Sequence, residues 1–115
     1  MDKLNQYRAT IQQSIEEYVK RSGYTPSGSE QVEMQVLTDP KHDHYQVVLV
    51  GWENRRRVYS PIFHLDIKDG KIWVQQNVSD YDLIQEIMDK GIPKSDIVLA
   101  FQSVLLRQHS GFAVA

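Results

Sequence analysis

The sequence predicts an α+β fold: an N-terminal helix, a four-stranded antiparallel meander and two C-terminal helices, in a single domain over residues 1–115. Three observations predict it. Leu4, Tyr7, Ile11, Ile15, Tyr18 and Val19 recur at three- and four-residue steps, as one stripe of a helix does. Tyr45 to Gln76 holds three runs dense in Val, Ile, Leu, Phe, Tyr and Trp, separated only by short turn signals. After Gln76 the spacing returns to a helical period.

Taken in order, the first helix runs from about Asp2 to about Arg21, with Gln12, Gln13, Glu16, Glu17 and Lys20 on its polar side. Gly23 stops it, and Ser22 to Glu30 reads as a polar loop. Gln31 to Thr38 alternates, with Val32, Met34 and Val36 on one side, and is the first strand. Asp39-Pro40 opens a turn that Lys41 to His44 completes. The next strands are Tyr45–Trp52, Arg56–Ile67 and Lys71–Gln76, joined through Glu53-Asn54-Arg55 and Asp69-Gly70. Connections this short force antiparallel neighbours, because a parallel crossover needs a dozen residues or more.

Counting back from Asp69-Gly70 places Gln76 opposite Phe63, so Pro61 falls at or beyond the end of that partner strand. Ser79 and the acids Asp80 and Asp82 then mark a helix start. Leu83, Ile84, Ile87 and Met88 form its apolar stripe, and Gly91 its stop. Beyond Ile92-Pro93, Ser95 or Asp96 caps a second short helix containing Ile97, Val98, Leu99, Ala100 and Phe101.

Alternation puts Phe63, Leu65 and Ile67, with Ile72 and Val74, on a core face of the sheet. The other face carries Ile62, His64 and Asp66 beside Trp73 and Gln75. The second strand adds apolar residues to both faces: Val47 and Leu49 on one, Val48, Val50 and Trp52 on the other. A sheet with one solvated face does not look like this. The expected cover for Trp52, Val50, Ile62 and Trp73 is another chain, most simply in a homodimer, with the N-terminal helix as the competing cover.

Composition excludes several function classes. Net charge is −2 and the pI about 6.0, so no global basic field holds nucleic acid, and DNA contact is expected to be weak or indirect. There are no cysteines, which removes disulfides and thiolate metal sites. The N-terminus lacks an apolar leader and no segment reaches membrane-span length, so a soluble, cytoplasmic protein without membrane contact is expected.

Chemistry-bearing residues are few. Arg55, Arg56 and Arg57 at a hairpin are the one dense basic cluster, suited to a polar or acidic contact, although three charges at a strand entrance are usually a solvated turn. His64 and Asp66 share a strand face, and His42, Asp43 and His44 sit together in a loop. Such parts can build a histidine–carboxylate metal site, but the spacing matches no metal motif. No metal or other cofactor is therefore expected. Nucleophile-elbow, zinc-protease and phosphate-loop patterns are absent, and no enzyme is expected.

Longer blocks carry a family resemblance. Asp43-His44-Tyr45-Gln46, Val50-Gly51-Trp52, Arg56-Arg57-Val58, the run from Phe63 to Asn77, the run from Gly91 to Phe101, and the ending Phe112-Ala113-Val114-Ala115 closely resemble the XisI family. These are small cyanobacterial proteins named as controlling factors for excision of the fdxN element. The resemblance implies an α+β fold and a regulatory, non-catalytic part in site-specific DNA recombination. A separate recombinase complex does the cutting, and a companion, XisH, resembles nuclease-fold proteins. Two roles follow from it: an accessory factor that steers the recombinase, or an antidote-like partner that restrains an XisH-like protein. Both rest on protein contacts, in keeping with the acidity of the chain.

Overall fold

The computed structural model describes residues 2–22, 31–78 and 81–115. Helix α1 (Lys3–Ser22) buries Tyr7, Ile11 and Ile15, the predicted stripe, and its last turn carries Lys20 and Arg21, where cations suit the helix dipole. Strands β1 (Gln31–Asp39), β2 (His44–Glu53), β3 (Arg56–Lys68) and β4 (Lys71–Asn77) follow, each antiparallel to the next, in sequential order. Both tight hairpins use the primed geometry that matches strand twist. Asn54 and Arg55 have φ of 50° and 64°, and Asp69 and Gly70 have 54° and 75°.

The β1–β2 register is pinned at Gly51, which pairs with Val32. A Cβ there would lie 1.8 Å from the Gln31 carbonyl oxygen, so only glycine lets the strands approach. Phe63, Leu65, Ile67, Ile72 and Val74 are all buried, as the alternation requires, and share one cluster with Tyr7, Ile11 and Ile15 of α1. Helix α2 (Leu83–Asp89) adds Leu83 and Ile87 to the same cluster. Lys90 ties the two helices, its Nζ 3.1 Å from Glu17, 3.3 Å from Glu86 and 3.1 Å from the Ser14 hydroxyl.

The structure corrects the expectation in five places. First, the sheet of the described residues is five-stranded and mixed, because Ile97, Val98 and Leu99 form strand β5 (Ile97–Leu99), parallel to β4. A short, continuous apolar run has the same pattern in a buried strand and in a helix. Here α2 and the 3-10 turn Lys94–Asp96 supply the long crossover that a parallel pair needs. Second, the second C-terminal helix lies further on, as the short α3 (Val104–Arg107).

Third, α2 is capped by Asp82, whose carboxylate accepts from the Gln85 amide at 2.9 Å. The expected Ser79 cap lies outside the described residues, as does most of the Ser22–Glu30 loop with its Gly23 stop. Fourth, two bulges shift the registers. Phe63 pairs with Asn77 rather than Gln76, and Ile62 is the extra residue between the pairs Val47–Phe63 and Val48–Pro61. Pro61 still lies beyond the end of β4, where its missing N–H breaks no β4 ladder bond. Fifth, the competing cover for the second face is removed, because α1 covers the Phe63 face and not the Trp73 face, as the edge-on contact of Tyr18 with Phe63 shows.

Candidate functional site

The four residues expected to form an interface do not converge. Ile62 is the bulged residue and belongs to the core beside Phe63, so it offers no surface. Trp73 pairs with Asp66, and through it stands level with His44, whereas Trp52 is at the far end of β2. Eight residues of strand separate those levels, about 27 Å at 3.4 Å per residue.

Each tryptophan has cations of its own. The Arg57 guanidinium lies 5.7 Å from the Trp52 ring, which is 53% exposed. Lys68 Nζ and Arg107 lie 4.6 and 5.6 Å from the Trp73 ring, and its indole N–H donates to the Lys68 carbonyl at 3.0 Å. Val50 is half-buried between the two ends. Arg55, Arg56 and Arg57 are exposed at the β2–β3 hairpin.

His64 and Asp66 do converge, and His44 joins them. His44 opens β2 and pairs directly with Asp66 across the strands. Its position is fixed by the preceding Asp43, which adopts φ 61° and receives Arg8 of α1 at 2.7 and 3.1 Å. That guanidinium holds the Asp43 carboxyl below the usual carboxylate range. The Ile67 amide donates to the Asp43 carbonyl at 3.0 Å, which ties the turn to β3.

One oxygen, Asp66 Oδ1, then lies 2.8 Å from His44 Nδ1 and 2.9 Å from His64 Nε2. The Gln75 amide donates to Asp66 Oδ2 at 3.3 Å, and the Gln46 amide nitrogen sits 3.4 Å from His64 Nδ1. The Asp66 hydrogen bond raises the His44 pKa. The sequence separated these groups, and an unbulged count back from the Glu53–Arg56 pair sets His44 against Leu65. The extra residue Ile62 moves Asp66 opposite instead. Pro61 was the signal that could have found the bulge.

A second surface was missed by sequence reasoning altogether. The Ser103 hydroxyl caps α3 by accepting from the Leu106 amide at 3.3 Å. Arg107 then staples the turn down, donating to the Gln102 and Ala100 carbonyls at 3.0 and 3.1 Å while its guanidinium lies over Trp73. Beyond it, the Ala113 amide donates to the Ile97 carbonyl at 2.9 Å, and Val98 bridges Ala113. Val104, Leu105 and Leu106 are left 58%, 66% and 56% exposed, with Phe101 and Val114 exposed as well. Consecutive helical residues point about 100° apart, so exposure of all three means the turn stands out from the body. The unbroken Val104-Leu105-Leu106 triplet was the available signal.

Comparison with known proteins identifies the frame. The family model described as XisI protein matches residues 1–114. The chain belongs to the XisI family. A crystal structure of a XisI-like protein from Anabaena variabilis ATCC 29413 superposes with a TM-score of 0.87 at 37% identity, over 97% of this chain and 99% of that one. The fdxN element excision controlling factor XisI from the same organism superposes equally well, with a TM-score of 0.87 at 34% identity, over 99% and 100% of the two chains. No curated protein sequence matches. XisI membership thus agrees with the motif blocks, and the mixed sheet with its short C-terminal helices is the XisI-like fold. No helix among the described residues is long and apolar enough to cross a membrane.

Proposed function

We propose that this chain is a controlling factor in the excision of a DNA element, and that it works by contact with another protein rather than by catalysis. The observation that carries the protein-contact reading is the outward α3 turn, with Val104, Leu105 and Leu106 each more than half exposed on a segment held in place by Arg107. Exposed apolar runs on a rigid support mark protein interaction sites. The link to excision comes from family: a XisI relative covering the whole length is named an fdxN element excision controlling factor. A net charge of −2 supports a protein partner over a phosphate backbone.

The occupant proposed for α3 is an XisH-like protein of nuclease fold, through which the chain reaches a recombinase complex. Restraint of that XisH-like protein, as by an antidote, is the alternative use of the same contact. Purified chain, XisH-like protein, recombinase and element DNA, mixed in pairs and together, test the proposal. A binary complex with the XisH-like protein that goes on to alter excision supports the controlling role. A binary complex that only silences a nuclease activity supports the antidote role. Self-association that occupies α3, or no complex at all, contradicts both.

A further inference from the structure

We propose that His44, His64 and Asp66 form a divalent transition-metal site on the sheet face opposite α1 and α2, with three protein ligands and one position facing solvent. The three side chains each offer a ligand atom, and those atoms all lie within 4.8 Å of one another. Two imidazoles and one carboxylate are a donor set suited to zinc and its first-row neighbours rather than to calcium or magnesium. The ligands come from two strands locked by a directly paired position, His44–Asp66, and by the i, i+2 step from His64 to Asp66. The arrangement therefore does not depend on a mobile loop.

Without a cation, the geometry reads as two imidazole N–H groups sharing Asp66 Oδ1. Tetrahedral zinc with bonds of about 2.0–2.1 Å spaces its ligands about 3.3–3.4 Å apart. Each Asp66–imidazole separation must therefore open by roughly half an ångström, while the two imidazole nitrogens, within 4.8 Å of each other, settle to the same spacing. The His44 side chain is 56% exposed and free to make that adjustment. Each imidazole then presents its lone pair on the inward nitrogen and carries its proton on the outer one. For His64 that outer nitrogen is Nδ1, which faces the Gln46 side-chain amide; a rotated amide presents its oxygen as acceptor there. Gln75 remains on Asp66 Oδ2 and orients the carboxylate. The fourth position, on the His44 side, is open to water or to a side chain of a bound partner.

Zinc titration of untagged protein by calorimetry tests this, with cobalt substitution read by visible absorption. One ion per chain at micromolar affinity or tighter is expected, with the intense cobalt bands of a four-coordinate site. His64→Ala and Asp66→Asn are expected to weaken binding at least about tenfold. His44→Ala, at an exposed side chain, is expected to do the same with an unchanged melting temperature, which keeps the test valid if the other two variants fold poorly. His42→Ala and His109→Ala are expected to leave binding intact. No uptake of zinc by the wild type, or uptake lost in His42→Ala or His109→Ala and kept in His44→Ala, overturns the proposal.

Discussion

The ring of Tyr18 stands edge-on to Phe63, with centroids 4.8 Å apart and planes at 85°. Its other neighbour is Tyr81, 5.2 Å away, just ahead of α2. Tyr18 thus links both helices to one face of the sheet, and edge-to-face pairs of this kind add about 0.5–1.5 kcal/mol beyond the area they bury. Both helices are committed to that face, which leaves the opposite one for His44, His64, Asp66 and the tryptophans.

The core face gives the first stability prediction. Leu65→Ala or Ile72→Ala, each at a fully buried position, should cost about 2–5 kcal/mol in urea unfolding. A loss below about 1 kcal/mol at either position contradicts the packing of α1 and α2 on this face.

The Asn54-Arg55 hairpin gives a prediction of opposite sign. Arg55 holds φ 64°, a conformation that suits glycine and strains a side chain. Arg55→Gly creates the Asn-Gly pair favoured in such turns and should raise stability by about 0.5–1 kcal/mol. A drop in the unfolding midpoint would mean that the Arg55 side chain makes a contact worth more than the strain.

Tyr7 and Asp96 give a pH dependence with two edges. The Tyr7 hydroxyl donates to Asp96 Oδ2, and Lys3 Nζ lies 3.0 Å from the same oxygen. Burial pushes the Asp96 carboxyl up, but the Tyr7 hydrogen bond and Lys3 outweigh it, so the net shift is down. Its contribution is therefore present above the ordinary carboxylate range and is lost as pH falls through the depressed value.

Burial, then the Asp96 hydrogen bond and charge, push Tyr7 from 10.0 up to about 12. That contribution is present below pH 10 and is lost as pH rises towards 12. Between these edges the Tyr7–Asp96 pair should add no pH dependence to the urea midpoint, with Asp96→Asn reducing the acid-side loss and Tyr7→Phe the alkaline one. Curves for the variants that parallel the wild type at both edges would contradict the assignment.

Binding to non-specific duplex DNA at physiological salt should be weak, because Arg55, Arg56 and Arg57 are the one dense basic cluster in a chain of net charge −2. Fluorescence anisotropy with a labelled duplex checks this across a salt series. Tight binding with a steep salt slope, abolished by replacing the three arginines, would give that hairpin a nucleic-acid role.

The order and antiparallel sense of β1 to β4 were legible because their turns and faces are written in local chemistry, at Asn54, at Gly70 and in the alternation around Phe63 and Ile72. The registers past the two bulges were not. Strand β5 was not legible either, because Ile97, Val98 and Leu99 are too few to show a period and their partner β4 is reached only through the α2 crossover. The site was half legible. His64 and Asp66 stand two apart on one strand, but the arrival of His44 depends on the bulge at Ile62, a tertiary choice marked in the sequence only by Pro61. The XisI resemblance named the family from sequence blocks alone, and it said nothing about which surface is exposed. The α3 turn shows that only in three dimensions, since Val104, Leu105 and Leu106 have the composition of a core.

The affinity of this chain for an XisH-like companion, compared between wild type and Leu105→Glu, tests the protein-contact reading most directly. Leu105 is 66% exposed, so the charge should not disturb folding, and an unchanged melting temperature checks that. The account predicts a stable complex with the wild type and at least about a tenfold loss for Leu105→Glu, the scale of a truncated interface anchor. A wild-type complex whose affinity Leu105→Glu leaves unaltered, or no complex with the wild type at any attainable concentration, would contradict it.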